Sequence, residues 1–184
     1  MKRPLPSLKG QALALLARRE QSRAELRTKL LAHARKLAQA QASSEVLQGD
    51  PLLLFLNPEA QAAPAERPDA AECARQVDDV LEWLVTQRHQ SDERFAESRI
   101  HARAGRLGQA RIRQELSRHG VELDPDTARQ LRATEFERAR EVWRKRFAEP
   151  ATDAAGRAKQ MRFLAARGFA ADVVRRVVGG RDEG

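Results

Sequence analysis

The chain has almost nothing from which to build a disulfide scaffold, a multi-cysteine metal site or an aromatic recognition platform. Of its 184 residues one is cysteine, Cys73, none is tyrosine, two are tryptophan, and aromatics amount to 4%. One cysteine excludes a disulfide framework and any cluster of thiolate ligands, and it suits a reducing, cytoplasmic setting. Long apolar runs are missing as well. The longest, Ala12–Ala17 and Leu52–Leu56, fall far below the ~18 residues a membrane span needs, and the early basic residues of Met1–Gly10 are not followed by an apolar core of signal-peptide type. Beta-branched residues are scarce, and no stretch of four or more residues alternates apolar with polar in a convincing way, so strands are not expected.

What is present is charge and helix. Lys+Arg number 34 against 26 Asp+Glu, a formal net charge of +8, with a pI near 10.6. The basic side is nearly all arginine, 28 Arg against 6 Lys. The guanidinium is a planar fork that grips carboxylates and phosphates bidentately, so the excess points to a polyanionic or carboxylate-rich partner. Val77, Val80, Leu81, Leu84 and Val85 form one stripe of an amphipathic helix, with Asp69 as its N-cap and Cys73 one turn before Val77 on the same face. Ser22 with Glu25 reads as a capping box, Asp124-Pro125 as a cap with proline at the first helical position, and Gly120 and Gly168 as helix-ending glycines. These signals predict helices over about 8–19, 22–36, 70–88, 91–104, 109–119, 125–132, 135–148, 153–167 and 171–178. Residues 48–68 differ: they hold Pro51, Pro58, Pro64 and Pro68 and read as a flexible loop. Within them Leu52–Leu56 is either a tucked turn or a peptide that docks into a partner's groove. It loosely resembles the Leu-x-Leu-Phe peptides that bind bacterial sliding clamps, with Pro51 where those carry glutamine.

The strongest pattern is internal. Ser22-Arg-Ala-Glu-Leu-Arg-Thr-Lys-Leu30, Gly108-Gln-Ala-Arg-Ile-Arg-Gln-Glu-Leu116 and Gly156-Arg-Ala-Lys-Gln-Met-Arg-Phe-Leu164 align, each opening on a small residue. Ala24, Ala110 and Ala158 share a column, as do Leu30, Leu116 and Leu164, and then Ala34, Gly120 and Gly168. Leu26 and Ile112 match one turn before the leucine, where Gln160 breaks the column. This describes a helix with a fixed start, a buried spine and a small residue at its exit, flanked each time by two other helices. The expected fold is all-α: an elongated array of three tandem three-helix repeats, about nine helices, with a Pro-rich insertion near residues 48–68. The units would be residues 1–88 (with an insertion over about 37–68), 89–132 and 133–184.

No convergent chemistry is visible. His33, His89, His101 and His119 are scattered, without metal-ligand spacing, and there is no phosphate-binding loop or nucleophile elbow. Gly105-Arg-Leu-Gly108 matches the GXXG of KH domains, but that fold needs strands, and glycines joining two helices explain it more simply. No catalytic, cofactor-binding or metal-binding residues, no cofactor and no enzyme activity are therefore expected. Basic residues instead return in every copy of the repeated helix. The candidate contacts are Arg23 and Arg27 in the first, Arg111, Arg113 and Arg118 in the second with Arg103 and Arg106 just before it, and Arg157 and Arg162 in the third. For a single arginine, pairing with an acid at helical spacing, such as Arg111 with Glu115, is the simpler role; collectively they form a surface for a long partner. Trp83, Phe95, Phe136, Trp143, Phe147, Phe163 and Phe169 look like core, so any nucleic-acid contact would be phosphate-led and weakly sequence-specific.

Ser22–Leu30, Ser91-Asp-Glu-Arg-Phe-Ala-Glu-Ser98, Arg111–Leu116 with Gly120-Val121, and Phe163-Leu-Ala-Ala-Arg-Gly-Phe169 together resemble the bacterial RecX regulatory proteins, over nearly the whole chain except residues 37–68. The resemblance implies three tandem three-helix repeats and a cytoplasmic regulator of the RecA recombinase; a monomer is expected separately, though the sequence does not give the oligomeric state. It implies that the protein lies in the groove of a RecA–single-stranded DNA filament, limits its extension, and inhibits ATP hydrolysis, strand exchange and co-protease action. At 99, where the family has an aromatic or aliphatic residue, this chain has Arg99, which can snorkel from a half-buried site; at 101, commonly arginine, it has His101. From charge alone, a basic protein that binds DNA without RecA remains open, as does a helical scaffold for another protein.

Overall fold

The structure, a computed structural model, describes residues 5–48, 69–147 and 149–180. Every regular element among them is an α-helix: α1 (Leu8–Leu16), α2 (Arg23–Gln48), α3 (Ala70–Thr86), α4 (Asp92–Ala104), α5 (Gln109–Arg118), α6 (Pro125–Ala133), α7 (Glu135–Arg144), α8 (Ala154–Ala165) and α9 (Ala171–Gly179). The all-α expectation holds. The Pro-rich stretch beyond residue 48 and its Leu52–Leu56 patch lie outside the described residues. The helices fall into two compact units, Met1–Ser91 and Asp92–Gly184.

In the first unit α1, α2 and α3 pack on one another around Ala12, Leu26, Leu30, Ala34, Cys73, Val77, Leu81 and Leu84. Asp69 caps α3 by accepting the Ala71 N–H at 2.9 Å. Val85, the last member of the expected stripe, is exposed; eight residues beyond Val77 it has rotated off the buried face. Ser22 is fully buried, and its hydroxyl accepts the Glu25 N–H at 3.1 Å, the first half of a capping box. The Glu25 carboxylate turns to Arg19 and Lys29. The main departure from expectation is the length of α2, which runs to Gln48 rather than ending near 36. Residues 11–48 contain neither glycine nor proline, and the Ala, Gln and Leu of the excess are strong helix formers. Ala34 is consequently a buried mid-helix residue and not an exit.

The second unit carries two cores. Phe95, Ile112, Leu116, Val121 and Leu131 unite α4, α5 and α6; Ala139, Val142, Trp143, Leu164, Phe169, Val173 and Val177 unite α7, α8 and α9. Asp124 caps α6 through the N–H groups of Asp126 and Thr127, with Pro125 in its first turn. Gly120 and Gly168 close α5 and α8 at φ +71° and +79°, as helix-ending glycines should. The third repeat starts differently: α8 begins at Ala154 with Asp153 as its cap, so Gly156 is its third residue, donating its N–H to Asp153 at 2.6 Å.

The spine of the repeat is real at all three places. Leu30, Leu116 and Leu164 are fully buried, and so are Leu26 and Ile112 one turn earlier. Gln160, which breaks that column chemically, keeps its burial; its side-chain amide donates to the Glu149 carbonyl at 3.0 Å. The Ala24, Ala110 and Ala158 column is exposed, so its smallness serves no core.

Candidate polyanion-binding cleft

The two three-helix groups of the second unit are joined by backbone. The N–H of Gly108 donates to the Arg167 carbonyl at 2.9 Å, and that of Ala110 to Gly168 at 3.3 Å. A Cβ on Gly108 would sit 2.2 Å from the Gly168 oxygen, and one on Gly168 would sit 2.6 Å from the Arg111 nitrogen. Only two glycines permit this approach. The buried Glu135 completes the arrangement, its carboxylate accepting the Gln109 N–H at 2.9 Å, so three of the orphan donors at the start of α5 are satisfied from the neighbouring group.

Arg138 is the second clasp. Its guanidinium donates to the carbonyls of Ala104 (3.1 Å), Leu107 (2.8 Å) and Leu131 (2.7 Å), tying the ends of α4 and α6 to α7. Burial pushes the Arg138 guanidinium below its ordinary value, and the charge of Glu135 opposes the shift. No sequence signal marks it: it is one arginine among 28, and only the carbonyls converging on it reveal a structural role.

These clasps shape a cleft of about 880 Å³ lined by Arg103, Gly105, Arg106, Leu107, Arg111, Val142, Lys145, Arg146, Phe163, Ala166 and Arg167. Six of these residues are cationic and none is acidic. Four of the cations, Arg106, Lys145, Arg146 and Arg167, follow the C-terminal ends of α4, α7 and α8, where outward-facing carbonyls favour positive charge. Arg106 and Lys145 have no side-chain partner among the described residues. Arg146 only approaches the Phe147 ring, at 6.0 Å. Arg167 lies over the face of Phe163 at 3.6 Å and donates to that residue's carbonyl, while Phe147 meets Phe163 edge-to-face at 5.2 Å. The aromatic floor is thus already engaged, so a base has little ring face left to stack upon. Arg103 enters the cleft while paired with Glu115 at 3.2 Å.

Of the nine candidate arginines, the cleft gathers Arg103, Arg106 and Arg111. Arg113 lines a smaller pocket of about 370 Å³ with Arg129, Arg132 and the buried Glu135. Arg118 and Arg162 are exposed, and their side chains make no hydrogen bond or ion pair among the described residues. Arg157 donates to the Thr152 carbonyl at 2.6 Å. In the first unit Arg27 grips Asp78 with two bonds, at 2.7 and 3.0 Å, and Arg23 meets Glu82 at 2.5 Å. The hydrogen bond between them, helped by the Asp78 charge, raises the Arg27 guanidinium further; the same bond lowers Asp78, opposed by burial and aided by the charges of Arg27 and Arg23. The expected Arg111–Glu115 pair does not form: Arg111 bonds Gln114 at 3.0 Å, and Glu115 takes Arg99 and Arg103 instead. Arg99 is half-buried, lying 5.2 Å from the Phe95 ring centre. The repeat-based reading missed Lys145 and Arg146 because they follow α7, outside the repeated helix. A basic pair directly after an apolar-periodic helix was the available signal.

No group of His, Cys, Asp and Glu among the described residues could hold a metal ion, and no described helix is long and apolar enough to cross a membrane.

Comparison with known proteins accords with this repeat arrangement. The family descriptions "RecX, second three-helix domain" and "RecX, third three-helix domain" match residues 91–124 and 133–178. Several proteins named Regulatory protein RecX are similar over most of their lengths. That of Ralstonia pickettii (strain 12J) is 41% identical, covering 98% of this chain and 94% of its own. That of Leptothrix cholodnii is 42% identical, covering 96% and 90%, and that of Ralstonia nicotianae 39%, covering 96% and 89%. With identity at this level sustained across both partners' lengths, the chain belongs to the RecX family of regulatory proteins.

Proposed function

We propose that this protein is a non-enzymatic negative regulator of the RecA recombinase, acting in the cytoplasm as a monomer. It binds in the groove of the RecA–single-stranded DNA filament, limits filament extension, and thereby inhibits ATP hydrolysis, strand exchange and co-protease activity. Its units are residues 1–88, 89–132 and 133–184, each contributing one three-helix repeat. The observation that carries this reading is the acid-free basic cleft of the second unit in a chain of this family. It offers Arg106 and Lys145, which have no side-chain partner among the described residues, to a polyanionic or carboxylate-rich surface. Phosphate contacts to the filament's DNA are compatible with the same cations.

The test is RecA-catalysed ATP hydrolysis on single-stranded DNA. Added at a small fraction of the RecA concentration, the protein slows hydrolysis on growing filaments, and the Arg106→Glu/Lys145→Glu variant loses most of that effect. Unchanged hydrolysis with the unmodified protein removes the regulator reading. Inhibition that tracks DNA affinity alone, at every salt concentration, favours a DNA binder that acts without touching RecA.

A further inference from the structure

We infer that the basic cleft between α4–α5 and α7–α8 is a docking site for an acidic protein segment bearing an apolar side chain at its centre, rather than a track for a nucleic-acid strand. The inference deepens the regulator reading, and rests on it only for the biological setting. Two properties of the cleft select this ligand. Its rim is cationic without a single carboxylate, with Arg106, Lys145 and Arg146 lacking any ionic partner among the described residues. The remaining lining, its floor, is apolar, from Leu107, Val142 and Ala166, beside a Phe163 ring that Arg167 already covers.

A phosphodiester strand would use the rim and waste the floor. It gains from aromatic faces on which bases stack, but the Phe163 face carries the Arg167 guanidinium at 3.6 Å, and Phe147 stands against the same ring. A peptide uses both parts. Its Asp and Glu side chains reach the forked guanidinium donors, and a leucine or phenylalanine among them buries its surface on the floor. The volume of about 880 Å³ accommodates such a segment, and the Arg138 and Glu135 clasps hold the two walls at a fixed spacing, so little ordering is needed on binding.

The experiment uses the full chain and no recombinase, so it stands apart from the ATP-hydrolysis test: either can fail alone. A fluorescein-labelled peptide with Leu-Phe between two Asp/Glu blocks is titrated with protein at physiological salt, beside a peptide of equal charge with Ser-Ser in the centre. Unlabelled oligo(dT) of the same net charge serves as competitor. The Leu-Phe peptide binds about tenfold tighter than the Ser-Ser peptide, as burial of one such side chain implies, and oligo(dT) displaces it less readily than unlabelled Leu-Phe peptide does. Arg106→Glu combined with Lys145→Glu reduces binding at least about tenfold, whereas Arg175→Glu, an exposed cation of α9 away from the cleft, leaves it unchanged. Equal binding of the two peptides overturns the inference. So does displacement by oligo(dT) at lower concentrations than by peptide, or an equal loss in the Arg175 variant. Since the Arg106 and Lys145 side chains make no hydrogen bond or ion pair among the described residues, a urea melt that matches the unmodified protein shows that lost binding is not lost fold.

Discussion

The first and second copies of the repeated helix begin alike, on a small residue followed by arginines, and then spend those arginines differently. In α2 the side chains of Arg23 and Arg27 reach the acids of α3, Glu82 and Asp78, and the cations are used within the unit. Around α5, Arg106 and Arg113 reach no acid among the described residues, and the carboxylate that could have served Arg111 is taken by Arg99 and Arg103. The distinction comes from what each copy faces. The outward face of α3 carries Asp78 and Glu82 opposite α2, whereas the second group's neighbours toward the cleft supply Lys145, Arg146 and Arg167. The same helix can therefore be a structural strut in one unit and the wall of a binding cleft in the other.

That contrast breaks most completely at Arg138. Truncation to alanine removes the charged donor from the carbonyls of Ala104, Leu107 and Leu131 at once, and should destabilise the second unit by about 3–4 kcal/mol. Urea unfolding should show it, with the first unit's transition unmoved. Arg138→Lys, which cannot span three acceptors, should recover less than half. Because the Arg138 clasp holds the 104–107 segment, the variant's residual folded population should also bind polyanions less tightly than its charge predicts.

The start of the helix gives the next largest effect, and it is asymmetric. Gly108→Ser places a Cβ 2.2 Å from backbone that cannot retreat and should cost about 2–3 kcal/mol. The reciprocal change, Ser22→Gly, loses one capping hydroxyl and should cost less than about 1 kcal/mol. If the two exchanges cost the same in thermal or urea melts, the glycine-to-glycine seam is not what joins the second unit's two groups.

Much of this was legible in sequence, because helix and spine depend on local periodicity. All nine described helices were anticipated, and Leu30, Leu116 and Leu164 lie where a buried column requires. The end of α2 was misread because a repeat argument placed Ala34 at an exit, while the local composition, free of glycine and proline, carried the helix on to Gln48. The cleft was legible only in part. Arg103, Arg106 and Arg111 stood near the repeat, but which arginines are consumed internally depends on contacts distant in sequence, as with Arg27 and Asp78 or Arg138 and Ala104. Periodicity says nothing about those.

A smaller effect sharpens the comparison through pH. Burial raises the Glu25 carboxyl, but hydrogen bonds from Arg19 and Lys29, reinforced by their charges, outweigh it and hold the group at about 2 against an ordinary 4.5. A depressed carboxylate contributes stability that is complete above its unfolded value and lost as pH falls through the folded one, so the contribution fades between pH 4.5 and 2. Since Arg19 is largely solvent-exposed, screening should limit the loss to about 1–2 kcal/mol. Glu25→Gln should flatten this part of the first unit's acid profile and leave the second unit's profile as it was.

The smallest effect is also the most discriminating for function. Arg27→Ala removes a two-bond ion pair with Asp78, yet both side chains are nearly half exposed, and solvent-screened pairs of that kind contribute little to stability. Its thermal midpoint should barely move. If arginines act by summed charge along all three repeats, losing Arg27 should weaken filament inhibition as much as losing Arg106. If a cation already satisfied by an acid has little left to offer a partner, Arg27→Ala should inhibit like the unmodified protein while Arg106→Ala does not. Releasing the pair from the other side, by Asp78→Asn, then becomes the deciding variant: it frees Arg27 without adding a cation, and a gain in binding would show that internal pairing is what silences the first unit.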